Sequence, residues 1–237
     1  MTPMRVEPYG PGSIVHIIKR GARGMEIVRD ERDHKRFLQL LYFLNEEFKT
    51  DAWERDVAGL PAFSRPDHWP QRKPLTDVLG WTLLSNHLHL LLRVREDRER
   101  GVSEFMHKLF RSMTGHFNEK YTERGSIFQG PYKSKTVDGD EYLRYLIPYV
   151  MTKNVFDMHP NGFENATADF ESSWKWAICY PYSSLGVYAG EIDPRILAKN
   201  NIVHELFPTA DALKEASRDM LAAYREKRED LHVLQLE

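Results

Sequence analysis

The sequence predicts an α+β domain built on an antiparallel β-sheet. Three observations carry this: short runs of β-branched and apolar residues bounded by turn residues, amphipathic helical stretches, and the order in which the two alternate. Ser13-Ile-Val-His-Ile-Ile-Lys-Arg20 reads as a first strand that ends at Gly21 and Gly24. Asp30 is expected to cap a helix, because Phe37, Leu38, Leu41, Leu44 and Phe48 recur behind it at helical spacing. Pro61, Pro66, Pro70 and Pro74 mark a connection. Val78 to Ser85 and His87 to Val94 then form a strand pair about a turn at Asn86. Ser103 is expected to cap a second helix with Phe105, Met106, Leu109, Met113 and Phe117 on its apolar face. Residues 125–137 are punctuated by Gly and Pro and include a short strand, and Asp140 opens a third helix through Leu143, Leu146 and Tyr149.

This order predicts a ferredoxin-like antiparallel sheet with helices on one face, the other face polar and open to solvent, and an extra helix carrying Tyr149. That domain is expected to span residues 1–156. Residues 157–237 form a partly helical tail, with Trp174, Trp176 and Tyr180-Pro-Tyr-Ser-Ser184 packing it onto the core and a charged helical stretch from Arg195 to Asp230.

An apolar fraction of 41% and a charged fraction of 29% are those of a globular chain and exclude disorder as the default. No apolar run approaches a membrane span, no membrane partner is expected, and the single cysteine, Cys179, fits a reducing cytoplasm. One cysteine also excludes a zinc ribbon built from this chain alone. Net charge is −2, but unevenly spread: residues 81–155 hold 12 Lys and Arg against 9 Asp and Glu, while residues 156–237 hold 8 against 14. The mildly basic middle points weakly to a polyanionic partner.

The middle also carries the most informative segment, Trp81-Thr-Leu-Leu-Ser-Asn-His-Leu-His-Leu-Leu-Leu-Arg93. His87 and His89 are two apart, so on a strand both imidazoles leave the same face. Two imidazoles on a rigid strand make half a coordination sphere; they are equally compatible with half-buried histidines satisfied by backbone carbonyls. Tyr149 can act as a nucleophile, although its hydroxyl, ordinarily titrating near ~10, needs activation at neutral pH. Tyr142, Tyr145 and Tyr149 also fit a packed helical face.

Four blocks decide between these readings: Ser-Asn-His-Leu-His-Leu-Leu-Leu (85–92), Gly-Ser-Ile-Phe-Gln-Gly-Pro-Tyr-Lys-Ser (125–134), Asp-Gly-Asp-Glu-Tyr-Leu (138–143) and Tyr-Val-Met-Thr-Lys-Asn-Val (149–155). In order and spacing they resemble the single-tyrosine HUH transposases, and with the Tyr-Pro-Tyr-Ser-Ser tail the chain looks most like the REP-associated tyrosine transposases. The resemblance covers roughly residues 13–190. It implies a metal-dependent single-stranded DNA endonuclease and strand transferase acting at hairpin-flanked sites through a 5′-phosphotyrosine. His87 and His89 would be ligands of Mg²⁺ or Mn²⁺ and Tyr149 the nucleophile. Arg111, Phe128, Gln129, Tyr132, Lys133 and Lys135 would contact DNA, and the protein would be a monomer or a homodimer. The chain departs from the family pattern at Lys153, where an amide side chain is usual, at Pro148, and in lacking the proline of Asn-Pro-Val. Lys153 is read either as a fixed cation that activates Tyr149 or as the mark of an impaired enzyme that still binds DNA hairpins. A metal-dependent hydrolase of small substrates, using the histidines without the tyrosine, is a third reading.

Overall fold

The structure, a computed structural model, describes residues 8–50, 52–192, 194–199 and 201–226. Strands β1 (Ile14–Arg20), β2 (Asp77–Leu83), β3 (His87–Arg93) and β4 (Lys133–Thr136) form one antiparallel sheet in the order β2-β3-β1-β4. This is the ferredoxin-like arrangement that the element order predicts.

Alternation along the strands divides their side chains between two layers. Val15, Ile17, Trp81, Leu83, Leu88, Leu90 and Leu92 face α1 (Glu31–Phe43) and α3 (Gly101–Tyr121), with Phe37, Leu40, Leu41, Phe105 and Leu109 filling the space between. Asp30 caps α1 as expected, its carboxylate accepting from the Arg32 and Asp33 amides. Ser103 does not cap α3. The helix starts two residues earlier at Gly101, where a Cβ would come within 1.8 Å of the Leu75 carbonyl, and the Ser103 hydroxyl pairs with Tyr9 at 2.9 Å.

The second face is where the fold departs from expectation: it is covered, not open. Leu79 and Leu91 pack there against α4 (Asp140–Pro148), the turn that follows it, α7 (Phe170–Ile178), α9 (Ile202–Leu206) and α10 (Ala210–Glu226). Between these lie the short helices α5 (Asn154–Asp157), α6 (Phe163–Ala168) and α8 (Leu185–Tyr188); α2 (Trp53–Asp56) is a single turn beneath α1. The stretch read as helical from Arg195 thus holds two helices, and its residues 227–230 lie outside the described residues.

Tyr180-Pro-Tyr-Ser-Ser184 runs along the outer edge of β2. The Leu83 amide donates to the Tyr182 carbonyl and the Ser184 amide to the Trp81 carbonyl, each at 2.9 Å, so the edge is capped. The Tyr180 and Tyr188 hydroxyls donate to the Leu83 and Leu79 carbonyls. Among the described residues no helix is long and apolar enough to cross a membrane.

Candidate active site

The helix carrying Tyr149 does not run as a regular α-helix. Pro148 keeps helical dihedrals (φ −60°, ψ −35°) although it has no N–H to donate, and the chain widens directly after it into a π turn over Tyr149–Lys153. In that turn the Asn154 amide reaches back five residues to the Tyr149 carbonyl. The Val150 carbonyl, its partner in an α-helix, instead accepts from the Thr82 hydroxyl at 2.6 Å. A sheet side chain has entered the helical ladder, a recognised cause of such bulges.

Thr82 stands directly across β2–β3 from His89. The residue that shapes the tyrosine's turn therefore neighbours the residue that turn faces. The His89 and Tyr149 rings are 6.1 Å apart at 74°. His87 and His89 project from one face of β3, as their spacing predicts, with ring centroids 5.1 Å apart.

A third histidine completes the cluster. His16 on β1 lies on the same sheet face, opposite Leu91, and its Nε2 is 3.0 Å from His89 Nδ1. The two rings lie edge to edge and nearly coplanar, 18° apart with centroids at 5.2 Å, as a hydrogen bond in the ring plane requires. Burial pushes the His16 imidazole down to about 3, helped by the charge of Lys135. Burial also holds His89 well below its usual range, with further lowering from His16, His87, Lys153 and Arg20. Both rings are consequently neutral at neutral pH, the form in which imidazole ligates a metal. His87 Nδ1 meets Asn86 Oδ1 at 2.6 Å. With both Nδ1 atoms held from behind, Nε2 is the atom through which each of His87 and His89 would hold a cation, and held imidazoles are the usual state of metal ligands. Among the described residues there is no cluster of three or more His, Cys, Asp or Glu suited to a metal. Two protein ligands suit an ion that keeps several waters, as Mg²⁺ does.

Lys153 is 5% exposed and ion-paired at 2.9 Å with Asp157, one turn on. Its ammonium sits 5.2 Å from the Tyr149 ring centroid and 5.3 Å from that of Tyr224 on α10. Tyr149 thus lies among His89, Tyr145, Tyr224 and Lys153.

The other residues singled out from the sequence separate into two groups. Lys133 and Lys135 lie on β4 opposite Ile18 and His16, on the histidine face. Arg20, which sequence reasoning passed over, pairs with His87 in register and adds a third cation there. Gln129 is exposed at the end of β1, its amide donating to the Arg20 carbonyl at 2.9 Å. Arg111, Phe128 and Tyr132 are not at this site; they line a hollow in the other layer, beside α3.

No protein-family model matches the chain, and no curated protein matches it. Among solved structures, one of a REP-associated tyrosine transposase bound to a REP hairpin resembles it with a TM-score of 0.45 and 13% identity, over 84% of this chain and 93% of that one.

Proposed function

We propose that this protein is a metal-dependent single-stranded DNA endonuclease and strand transferase with Tyr149 as its nucleophile. The observation that carries this reading is the His87–His89 pair, each ring held from behind at Nδ1, with Tyr149 set against it by a π turn. The first and last of the four ordered sequence blocks meet at this face through His89 and Tyr149. The Tyr149 hydroxyl loses its proton and attacks a backbone phosphorus. A phosphotyrosine bond forms, the P–O3′ bond breaks, and the departing oxygen takes up a proton as a free 3′-hydroxyl. The phosphoester energy stays in the adduct, so a second 3′-end can reverse the step without ATP. When bound by His87 and His89, Mg²⁺ or Mn²⁺ would polarise the phosphate and offset its developing charge. Arg20, Lys133 and Lys135 on the same face supply cations to a polyanionic backbone.

A binding-only reading has one observation in its favour: a buried lysine, already ion-paired, stands beside the tyrosine and lowers His89 further. One assay decides. The protein is incubated with Mn²⁺ and end-labelled single-stranded oligonucleotides carrying the palindromes that flank its gene, then run on a denaturing gel. An adduct on the 3′-side fragment that vanishes in Tyr149→Phe supports the nuclease. Hairpin binding with no adduct supports the second reading, and cleavage that persists in Tyr149→Phe overturns the first.

A further inference from the structure

The hollow beside α3 combines aromatic rings with basic side chains. It holds about 600 Å³ and is walled by Met106, Phe110, Phe128 and Tyr132. The Phe110 ring lies 5.1 Å from Phe128 and 6.2 Å from Tyr132, at 61° and 46°, so the three form an angled wall and not a closed stack. Lys19, only 6% exposed, reaches into this wall with its ammonium 5.2 Å from both phenylalanine rings, donating to the Gly130 carbonyl. Arg111 stands exposed at the rim and makes no ion pair among the described residues.

Charge separates this hollow from its larger neighbour over α1 and α3. That groove, about 620 Å³, is lined by Glu46, Glu54, Glu104 and Glu119, three of which are ion-paired with lysines or arginines. The aromatic hollow has no carboxylate among its described lining residues and carries Lys19 within it, with Arg111 on the rim it shares with that groove. Apolar ring faces beside a lysine and a rim arginine suit a ligand that is flat and anionic at once, which is what a nucleotide of a single strand offers.

We infer that this hollow is a nucleobase-binding pocket: one unpaired base of a single strand stacks against Phe110 and Tyr132 while Arg111 holds the adjoining phosphate. The inference rests on the proposed reading of the protein as acting on single-stranded DNA, but places a contact in the layer opposite the histidines. The two are joined through β1, where Lys19 faces the pocket and its neighbour Arg20 faces the histidine site. A strand crossing the end of β1 past Gln129 would engage both.

The test uses the full-length protein and a single-stranded oligothymidylate roughly 12 nucleotides long. One position carries 2-aminopurine, moved along the strand, whose emission is quenched by stacking. Wild type should quench it at one position. Phe110→Ala should lose the quench and bind about tenfold more weakly, while Phe110→Tyr keeps both. Arg111→Gln, on the exposed rim, should weaken binding and reduce the salt slope by about one without disturbing packing. It serves if Phe110→Ala fails to fold. Quenching and affinity unchanged in Phe110→Ala, or unchanged affinity in Arg111→Gln, overturn the pocket. The Tyr149 adduct is scored in parallel. An adduct with no stacking defect rejects the pocket and leaves the nuclease standing; stacking without an adduct supports the pocket and counts against the nuclease.

Discussion

Replacing His16 with Phe should weaken Mn²⁺ binding at His87 and His89 although His16 touches no metal in the proposed site. A neutral His89 that offers Nε2 to a cation must carry its proton on Nδ1, and that N–H then donates to His16 Nε2 at 3.0 Å. Phe fills the space but accepts nothing. At 0% exposure His89 has no solvent to turn to, so its N–H is left unsatisfied at a cost of about 1–3 kcal/mol. The ring escapes that cost by moving its proton to Nε2, which removes the ligand atom. Metal binding must then move the proton back and take up that cost, which weakens affinity by about 5- to 150-fold; losses of orienting partners elsewhere fall between about 10- and 100-fold. The assay is titration of the protein into Mn²⁺, following the sharp electron-spin-resonance signal of the free ion. His16→Gln, whose amide oxygen can still accept, should recover much of the affinity. Long-range ¹H–¹⁵N spectra of the metal-free proteins report the His89 tautomer independently. Equal Mn²⁺ affinity in wild type and His16→Phe, with the tautomer unchanged, would refute the argument.

Three further variants probe the π turn, the buried lysine and the base of α1. Thr82→Val strips the hydroxyl that holds the Val150 carbonyl, which should cost about 1–3 kcal/mol in a urea melt and lower adduct yield; an unaltered melt would show that the bond is dispensable. Lys153→Gln removes a cation whose charge reaches His89, so Mn²⁺ binding should tighten; adduct yield rising with it favours an enzyme held back by Lys153, and falling yield favours Lys153 as the activating charge. Asp33 is a buried residue in the first turn of α1, where burial alone would raise its pKa. Hydrogen bonds from Lys120, the Arg29 amide, Tyr121 and His116 outweigh this and hold its carboxyl well below the usual range. With the folded value below the unfolded one, the stabilisation is present at neutral pH and is lost as pH falls below about 4 toward the folded value. Asp33→Asn should therefore lower the urea midpoint at pH 7 and flatten its decline in acid, and parallel acid limbs would contradict this.

The parts of the site that sequence revealed are those written in one local stretch. His87 and His89 share a face because strands alternate, and the Asn86 turn sits where turn chemistry puts it. His16 was hidden because it lies 73 residues from the ring it bonds, and only the β1–β3 register unites them. A signal was present: it is the one polar residue at the alternate positions Ile14, His16 and Ile18 of an otherwise apolar run. Thr82 and the π turn were illegible for a different reason, since a helix gives no sign in its own sequence that a threonine on a distant strand will take one of its carbonyls. The covered second face was half legible. The tail's aromatics announce packing, but which face they pack on depends on Ser183 and Ser184 docking along β2.

The single surplus residue in the π turn has a consequence for how this chain can change. Leu143, Leu146 and Ile147 before the turn, and Val155 and Phe156 after it, all lie in the same buried cluster. They remain in phase because the widened turn absorbs one extra residue between them. Drawing the turn back to an α-helix with every residue kept would rotate everything beyond it by about 100°, and Phe156 and Asp157 would swing away from the places they now hold. Deleting one residue within 149–153 would instead restore an ordinary helix with both flanks still in phase. A deletion there should leave the buried cluster in place, and its effect should fall on Tyr149 and Lys153, whose setting the wide turn provides.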